Sequence, residues 1–97
     1  MNMQAMMKQA QKLQKDMMNI KNEIDNMTFE GENGLVNVKV NGKKEVLEVN
    51  LNLDDFDLDD KDMLQDMIVV ALNNAFKEVD KTTEQKMSKF GNIPGLF

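Results

Sequence analysis

The first quarter of the chain repeats apolar residues every three or four positions. The spacing is 3-4-3-4-3-4-3 over Met3, Met6, Ala10, Leu13, Met17, Ile20, Ile24 and Met27. This pattern places the eight side chains along one face of an α-helix, as in a coiled coil. Lysine, glutamine and asparagine prevail between them. We therefore predict a helix over about residues 2–27, in which these eight residues form an apolar seam opposite a polar face.

From residue 28 the apolar period shortens to two, which is typical of β-strands. Alternating apolar residues lie on both sides of Asn41-Gly42: Val36, Val38 and Val40 before it, and Leu47, Val49, Leu51 and Leu53 after it. Asn-Gly is the strongest signal for a two-residue hairpin turn. We predict strands at about 28–32, 35–41 and 43–52 in one antiparallel sheet.

A second helix is predicted over about residues 60–90. Its apolar stripe is wide and suits a helix that lies on a sheet and also meets a partner; it comprises Met63, Leu64, Met67, Ile68, Ala71, Leu72, Ala75, Phe76 and Val79. Asp59 or Asp60 is the expected N-cap, and Gly91 the expected stop before a short tail over 91–97. The fold class is α+β, in a single domain over 1–97.

The first helix is too long to be covered by this sheet. It spans about 37 Å, against roughly 20–27 Å for strands of six to eight residues. A chain this short also buries only a small core. A second copy is the simplest cover for the overhanging seam, through isologous packing. The predicted dimer interface comprises Met3, Met6, Ala10, Leu13, Met17, Ile20, Ile24 and Leu72.

The composition excludes several kinds of chemistry. The 97 residues include no His and no Cys, so zinc sites, disulfides, thiol catalysis and histidine acid–base catalysis lack their residues. Ser88 is the single serine and has no histidine to activate it. We expect no enzyme activity, no cofactor and no small-molecule substrate. Because no leader pattern and no run of about 18 apolar residues occurs, we expect a cytoplasmic protein without a membrane partner.

An acidic run over 54–62 invites comparison with a calcium-binding loop. Asp55, Asp57 and Asp59 fit the first, third and fifth positions of an EF-hand. The sixth position, which needs Gly, is Asp60, and the twelfth, which needs Glu, is Asp66. We therefore predict a solvated helix start and no metal site.

Charge is unevenly distributed along the chain. The net charge is −5, yet residues 1–22 carry four Lys and one Asp, while residues 54–66 carry seven Asp and one Lys. Lys8, Lys12 and Lys15 form a stripe on the outer face of the first helix. Such a stripe binds nucleic-acid phosphates, or simply keeps a helix face solvated, and the residues alone leave both interpretations open.

Several segments resemble the YbaB/EbfC family of bacterial nucleoid-associated proteins. They are Met6–Gln14, Phe29–Glu32, Gly34–Gly42 and Asp62–Ala71, followed by Met87 and a tail with Pro94-Gly95. The resemblance implies a tweezer-like homodimer, with paired sheets at the base and helical arms, that binds double-stranded DNA and affects nucleoid organisation and gene expression. It also implies DNA contact by the first and last helices, where the matching lysines are Lys8, Lys12, Lys15, Lys81, Lys86 and Lys89.

The chain departs from its relatives in having no Arg among its twelve basic residues. Arg is the usual bidentate reader of guanine, whereas Lys acts as a point charge on phosphate. We therefore expect mainly backbone contact and weak sequence preference, with base contacts left open for Gln4, Gln9, Gln11 and Asn19.

Two alternatives remain at the level of sequence. One is a protein-interaction module that uses the acidic base or a methionine-containing surface, with incidental DNA affinity. The other is RNA binding, which is disfavoured because Phe29 is the one aromatic residue on an obvious strand face, and single-strand readers stack bases on aromatic rings.

Overall fold

The computed structural model, which describes residues 2–91, contains two long helices and a three-stranded sheet. The elements in chain order are α1 (Met3–Asp25), β1 (Thr28–Asn33), β2 (Val36–Asn41), β3 (Val46–Leu51), α2 (Lys61–Met87) and a 3-10 turn (Ser88–Phe90). The predicted α+β class and element order are confirmed. The predicted tail lies outside the described residues apart from Gly91.

The ends of the two helices are set by different local interactions. Asn2 caps α1, because its side-chain oxygen accepts a hydrogen bond from the Gln4 N–H at 3.0 Å. Asp60 occupies the N-cap position of α2, but its side chain makes no capping hydrogen bond. The negative charge of Asp62 in the first turn still favours the positive end of the helix dipole.

The sheet is an antiparallel meander in the order β1-β2-β3. Phe29 stands opposite Val40, and Gly31 opposite Val38, so that one face of β1 and β2 is buried. The two strands are joined by a two-residue turn in which Gly34 has a φ of +58°. Glycine with positive φ at the first turn position is characteristic of a type II′ hairpin turn.

The turn between β2 and β3 is longer than predicted. The prediction of a two-residue turn at Asn41-Gly42 is wrong, because β3 does not begin until Val46. The Asn41 side-chain oxygen accepts hydrogen bonds from the N–H groups of Lys43 (2.9 Å) and Glu45 (3.0 Å). Lys44 adopts the left-handed conformation with a φ of 62°. The Asn41 side chain therefore stabilises a longer loop, whereas the Asn41-Gly42 sequence predicts a two-residue turn.

Two glycines allow backbone segments to approach each other closely. A Cβ atom at Gly31 would overlap the Ala71 carbonyl oxygen and lie 2.6 Å from the Ala75 nitrogen, so the α2 backbone rests directly on β1. A Cβ atom at Gly42 would overlap the Ile24 carbonyl at the end of α1. Gly42 is thus required for close packing against α1.

The core lies between α2 and the first two strands. Its buried members are Ile24, Phe29, Val36, Val38, Val40, Ala71, Ala75 and Val79. The Asn74 side chain also donates a hydrogen bond to the Glu32 carbonyl at 3.2 Å, which fixes α2 to β1.

The helix leaves β3 uncovered. Val46, Val49 and Leu51 are paired with core residues of β2, and side chains paired across a ladder share one face of the sheet. They are nevertheless 41–47% exposed, because α2 packs over β1 and β2. The structure therefore has an apolar sheet face, formed by Val46, Val49 and Leu51, that its own helix does not cover.

Gly31→Ala tests the close approach of α2 to β1. We expect the free energy of unfolding to fall by about 3 kcal/mol, because backbone atoms of α2 must move to admit the methyl group. Urea denaturation followed by circular dichroism measures this loss. Gly91→Ala is the control: its site has a φ of +78° and open space around it, so a loss of about 1 kcal/mol is expected from backbone strain alone. Equal losses at both sites would contradict the packing account.

Candidate nucleic-acid interface

The N-terminal part of α1 projects from the rest of the molecule as an arm. The molecule measures 71 × 20 × 15 Å, and every residue from 3 to 15 is exposed. Farther along α1, Met17 and Ile20 are half-buried and Ile24 is 3% exposed in the core. We call residues 3–15 the arm. It is held to the molecule at its C-terminal end, and its sides are open to solvent.

The arm carries three of the predicted DNA-contacting lysines on one side. Lys8, Lys12 and Lys15 are separated by four and three residues, which aligns them along a helix. They lie about 160° around the helix axis from the apolar seam. All three are exposed, and none forms an ion pair within the described segment 2–91. Their ammonium groups are therefore presented to solvent.

The other three predicted lysines lie around the C-terminal end of α2. Lys86 is not free: its Nζ is 3.0 Å from Glu23 Oε1 of α1. Lys89 lies over the ring of Phe90, with its Nζ 5.2 Å from the ring centre. Lys81 is exposed and has no ion-pair partner among residues 2–91.

Both lysine groups lie at the same end of the molecule. The buried Met87, between Lys86 and Lys89, lines a groove with Leu13 and Met17 of α1. The last turns of α2 therefore pack beside the middle of α1. The Glu23–Lys86 pair, which joins residues 63 positions apart, adds a polar link between the same helices.

The acidic run lies at the other end of α2. This helix has 27 residues and is about 40 Å long. The aspartates over 54–62 precede its first turn, whereas Met87 at its last turn meets α1. The acidic run and the lysines around Met87 thus lie at opposite ends of α2.

The predicted dimer residues fall into two groups. The seam is uncovered on the arm, where Met3 is 75% exposed and Met6, Ala10 and Leu13 are also exposed. In contrast, Ile24 belongs to the core of one chain, while Ile20 and Leu72 are partly buried against that core. The available part of this surface is therefore its N-terminal half.

The uncovered face of β3 was not anticipated from the sequence. Alternation in this strand predicted burial of one face, and β3 does pair with β2 as expected. The missing information was the position of α2, which no local pattern encodes. One helix is narrower than a sheet of three strands. This difference in width is the signal that α2 cannot cover the whole sheet.

Neither a cluster of metal ligands nor a membrane-spanning helix occurs among residues 2–91. Between residues 2 and 91, no group of three or more His, Cys, Asp or Glu side chains is arranged to hold a metal ion. Over the same residues, no helix is long and apolar enough to cross a membrane.

Comparison with known proteins identifies the family. Residues 1–93 match the YbaB/EbfC DNA-binding family. The chain belongs to this family. The resemblance seen in the sequence is thereby confirmed, and the description of this YbaB/EbfC family names DNA binding.

Relatives in other bacteria are similar over almost the whole chain. A nucleoid-associated protein of Lactococcus lactis subsp. cremoris is 48% identical over 93% of this chain and 93% of its own length. One of Ligilactobacillus salivarius is 43% identical over 99% of this chain and 95% of its own length. One of Clostridium novyi is 43% identical over 100% of this chain and 90% of its own length. Their names agree with the nucleoid association that the resemblance implied.

A solved structure shares the fold of this YbaB/EbfC chain. The crystal structure of an uncharacterized protein of Helicobacter pylori superimposes with a TM-score of 0.71. The match covers 95% of this chain and 99% of that chain, at 21% identity. At this identity the likeness supports the arrangement of helices and sheet alone.

Glu23→Gln tests whether the ion pair withholds Lys86 from DNA. We expect affinity for a DNA duplex at low salt to rise about two- to threefold, because one more ammonium becomes available to phosphate. The free energy of unfolding is expected to change by less than about 1 kcal/mol, since the pair is largely exposed. Fluorescence anisotropy and urea denaturation measure the two quantities.

Glu84→Gln is the matched control for this experiment. Glu84 is exposed on α2, has no ion-pair partner among residues 2–91, and its substitution changes the net charge equally. An equal gain in both variants would mean that overall charge, and not release of Lys86, sets the affinity.

Proposed function

We propose that this chain is a nucleoid-associated protein that binds double-stranded DNA as a homodimer, through its lysine-bearing arms and with low sequence specificity. The observation that carries the proposal is the arm itself. Its lysines lie on one side and its uncovered seam on the other. One side thus suits phosphate and the other suits a second apolar surface.

One chain leaves part of its apolar surface unburied, and this surface favours a dimer. Met3, Met6 and Leu13 are exposed on the arm, and Val49 and Leu51 are exposed on β3. Apolar surface gains about 25 cal/mol per Å² when it is removed from water. A second copy supplies the same surfaces and covers them through a two-fold axis. The pairing also brings two lysine stripes into one particle.

The positive charge of the arm favours duplex DNA as its ligand. Its lysines are exposed, and no acidic partner within residues 2–91 neutralises Lys8, Lys12 or Lys15. Binding of Lys to phosphate releases condensed counterions, which is the main source of affinity in sequence-independent binding. The acidic run repels DNA from the other end of the molecule and so favours approach by the arms.

Low specificity follows from the type of basic residue. Lys delivers a compact charge to phosphate, whereas bidentate recognition of guanine is mainly a property of Arg. With twelve Lys and no Arg, the chain is suited to hold DNA of many sequences. This property fits an architectural or regulatory protein of the nucleoid.

The double variant Lys8→Gln/Lys12→Gln tests the arm. We expect affinity for a duplex of about 30 base pairs to fall roughly tenfold or more at moderate salt. The slope of log affinity against log salt should flatten by about 0.9 for each phosphate that the variant no longer neutralises. Fluorescence anisotropy at four or more salt concentrations measures both.

Lys61→Gln/Lys77→Gln provides the matched control. Both lysines are exposed on α2, form no ion pair within residues 2–91, and lie outside the arm. The control should retain most of the affinity and the original slope. If wild-type protein binds no duplex even at low salt, or if both double variants lose affinity equally, the arm is not the DNA-binding surface. Salt-insensitive capture of a protein partner would then favour an interaction module.

Sedimentation equilibrium tests the dimer. Wild-type protein should sediment at twice the 11.1 kDa of one chain at micromolar concentration. Leu13→Asp should weaken the dimer at least tenfold, because a carboxylate would be buried in the seam contact. Met63→Asp, at an exposed position on α2, should leave it intact. If Val49→Asp dissociates the dimer and Leu13→Asp does not, the interface lies at β3 and does not include the arm. A monomeric wild type would contradict the homodimer.

A further inference from the structure

The outer side of α1 carries amide side chains beside the lysine stripe. Gln11, Gln14, Lys15, Met18, Asn19 and Asn22 line a shallow concavity on this side. Met18 is 59% exposed, although it is a large apolar residue. Neither phosphate binding nor the dimer contact accounts for this combination of amides and an exposed thioether.

Four of these residues form a straight row along the helix. Gln11, Lys15, Met18 and Asn22 are separated by four, three and four residues, which places them one above another. All four are exposed. The side-chain amides of Gln11 and Asn22 make no hydrogen bond to other groups within residues 2–91. Their donors and acceptors are therefore available to a ligand.

An A·T base pair offers the matching groups in the major groove of DNA. Adenine presents the N7 acceptor and the N6 donor, which one Gln or Asn amide satisfies together, and thymine presents a methyl group. The Met18 thioether is a suitable apolar contact for that methyl group. A G·C pair has neither the adenine N6 donor nor the thymine methyl group. Arg, the usual side chain that recognises guanine, is absent from the chain.

We infer that Gln11, Met18 and Asn22 read A·T base pairs in the major groove, while the adjacent lysines hold the phosphates. The inference rests on the proposed binding of duplex DNA by the arms and specifies which DNA is preferred. The groove is about 12 Å wide and admits an α-helix of about 10–12 Å. Lys8 and Lys12 lie to one side of the row, where one of the two phosphate backbones that border the groove would pass.

Three duplexes of equal length distinguish recognition of A·T pairs in the major groove from recognition in the minor groove and from binding without sequence preference. Their central block contains A·T, G·C or inosine·C pairs. An inosine·C pair resembles A·T in the minor groove, because it lacks the guanine amino group, but resembles G·C in the major groove. We expect wild-type protein to bind the A·T duplex about fivefold more tightly than either of the others. Fluorescence anisotropy at constant salt measures the three affinities.

Substituted proteins and a substituted base assign the contacts. Gln11→Ala/Asn22→Ala should lower A·T affinity to the level of the inosine·C duplex, with the salt slope unchanged because no charge is lost. Gln65→Ala/Asn73→Ala, exposed amides on α2, should leave the preference intact. Uracil in place of thymine removes the methyl group and should weaken wild-type binding about twofold, but should not affect Met18→Ala. Circular dichroism checks that each variant retains its helices.

Each outcome has a defined meaning. Equal affinity for A·T and inosine·C, with both above G·C, indicates reading from the minor groove and overturns the inference. Equal affinity for all three duplexes also overturns it, but leaves the proposed DNA-binding function intact. Failure of wild-type protein to bind any duplex at low salt removes the proposed function as well.

Discussion

The direct contact of α2 with β1 is the constraint on which the rest of the structure depends. Gly31 and the small residues Ala71 and Ala75 let the helix backbone lie against the strand. This contact fixes the position of the whole helix, since a helix of 27 residues behaves as a stiff rod. It therefore determines where Met87 meets α1 and which part of the sheet remains uncovered. The position of the α2 lysines and the exposure of β3 therefore both depend on the small size of these three residues.

The sequence predicted the fold class and element order because these depend on local periodicity. The seam from Met3 to Met27 and the alternation from Val36 to Val40 each contain a repeated apolar signal. The turn after Asn41 was predicted incorrectly, since its hydrogen bonds to Lys43 and Glu45 compete with the two-residue geometry. The dipeptide rule also attributes Gly42 to turn conformation, whereas the structure relates it to the carbonyl of Ile24. Only a tertiary contact contains that information.

The candidate interface is predictable to the extent that it lies on one helix. Lys8, Lys12 and Lys15 share a side because of their spacing alone, and the row that includes Gln11 follows from the same geometry. The ion pair of Lys86 cannot be predicted from spacing on one helix, because its partner Glu23 is 63 residues away in the chain. Ile24 illustrates the same limit: its heptad position suggested an intermolecular contact, but the approach of the sheet enclosed it within one chain. Long-range packing decides such cases.

The long exposed stretch of α1 has a consequence for its helix–coil equilibrium. Residues 3–15 comprise fewer than four helical turns, and isolated helices shorter than about 12–15 residues are marginal in water. Packing against the same chain begins near Met17, so the first turns are stabilised mainly by the Asn2 cap and by continuity with the packed turns. Amide protons should exchange with solvent progressively faster toward Met3. Any surface that covers the seam then also stabilises the helix. Helix formation in residues 3–15 is therefore coupled to the binding of another molecule at the seam.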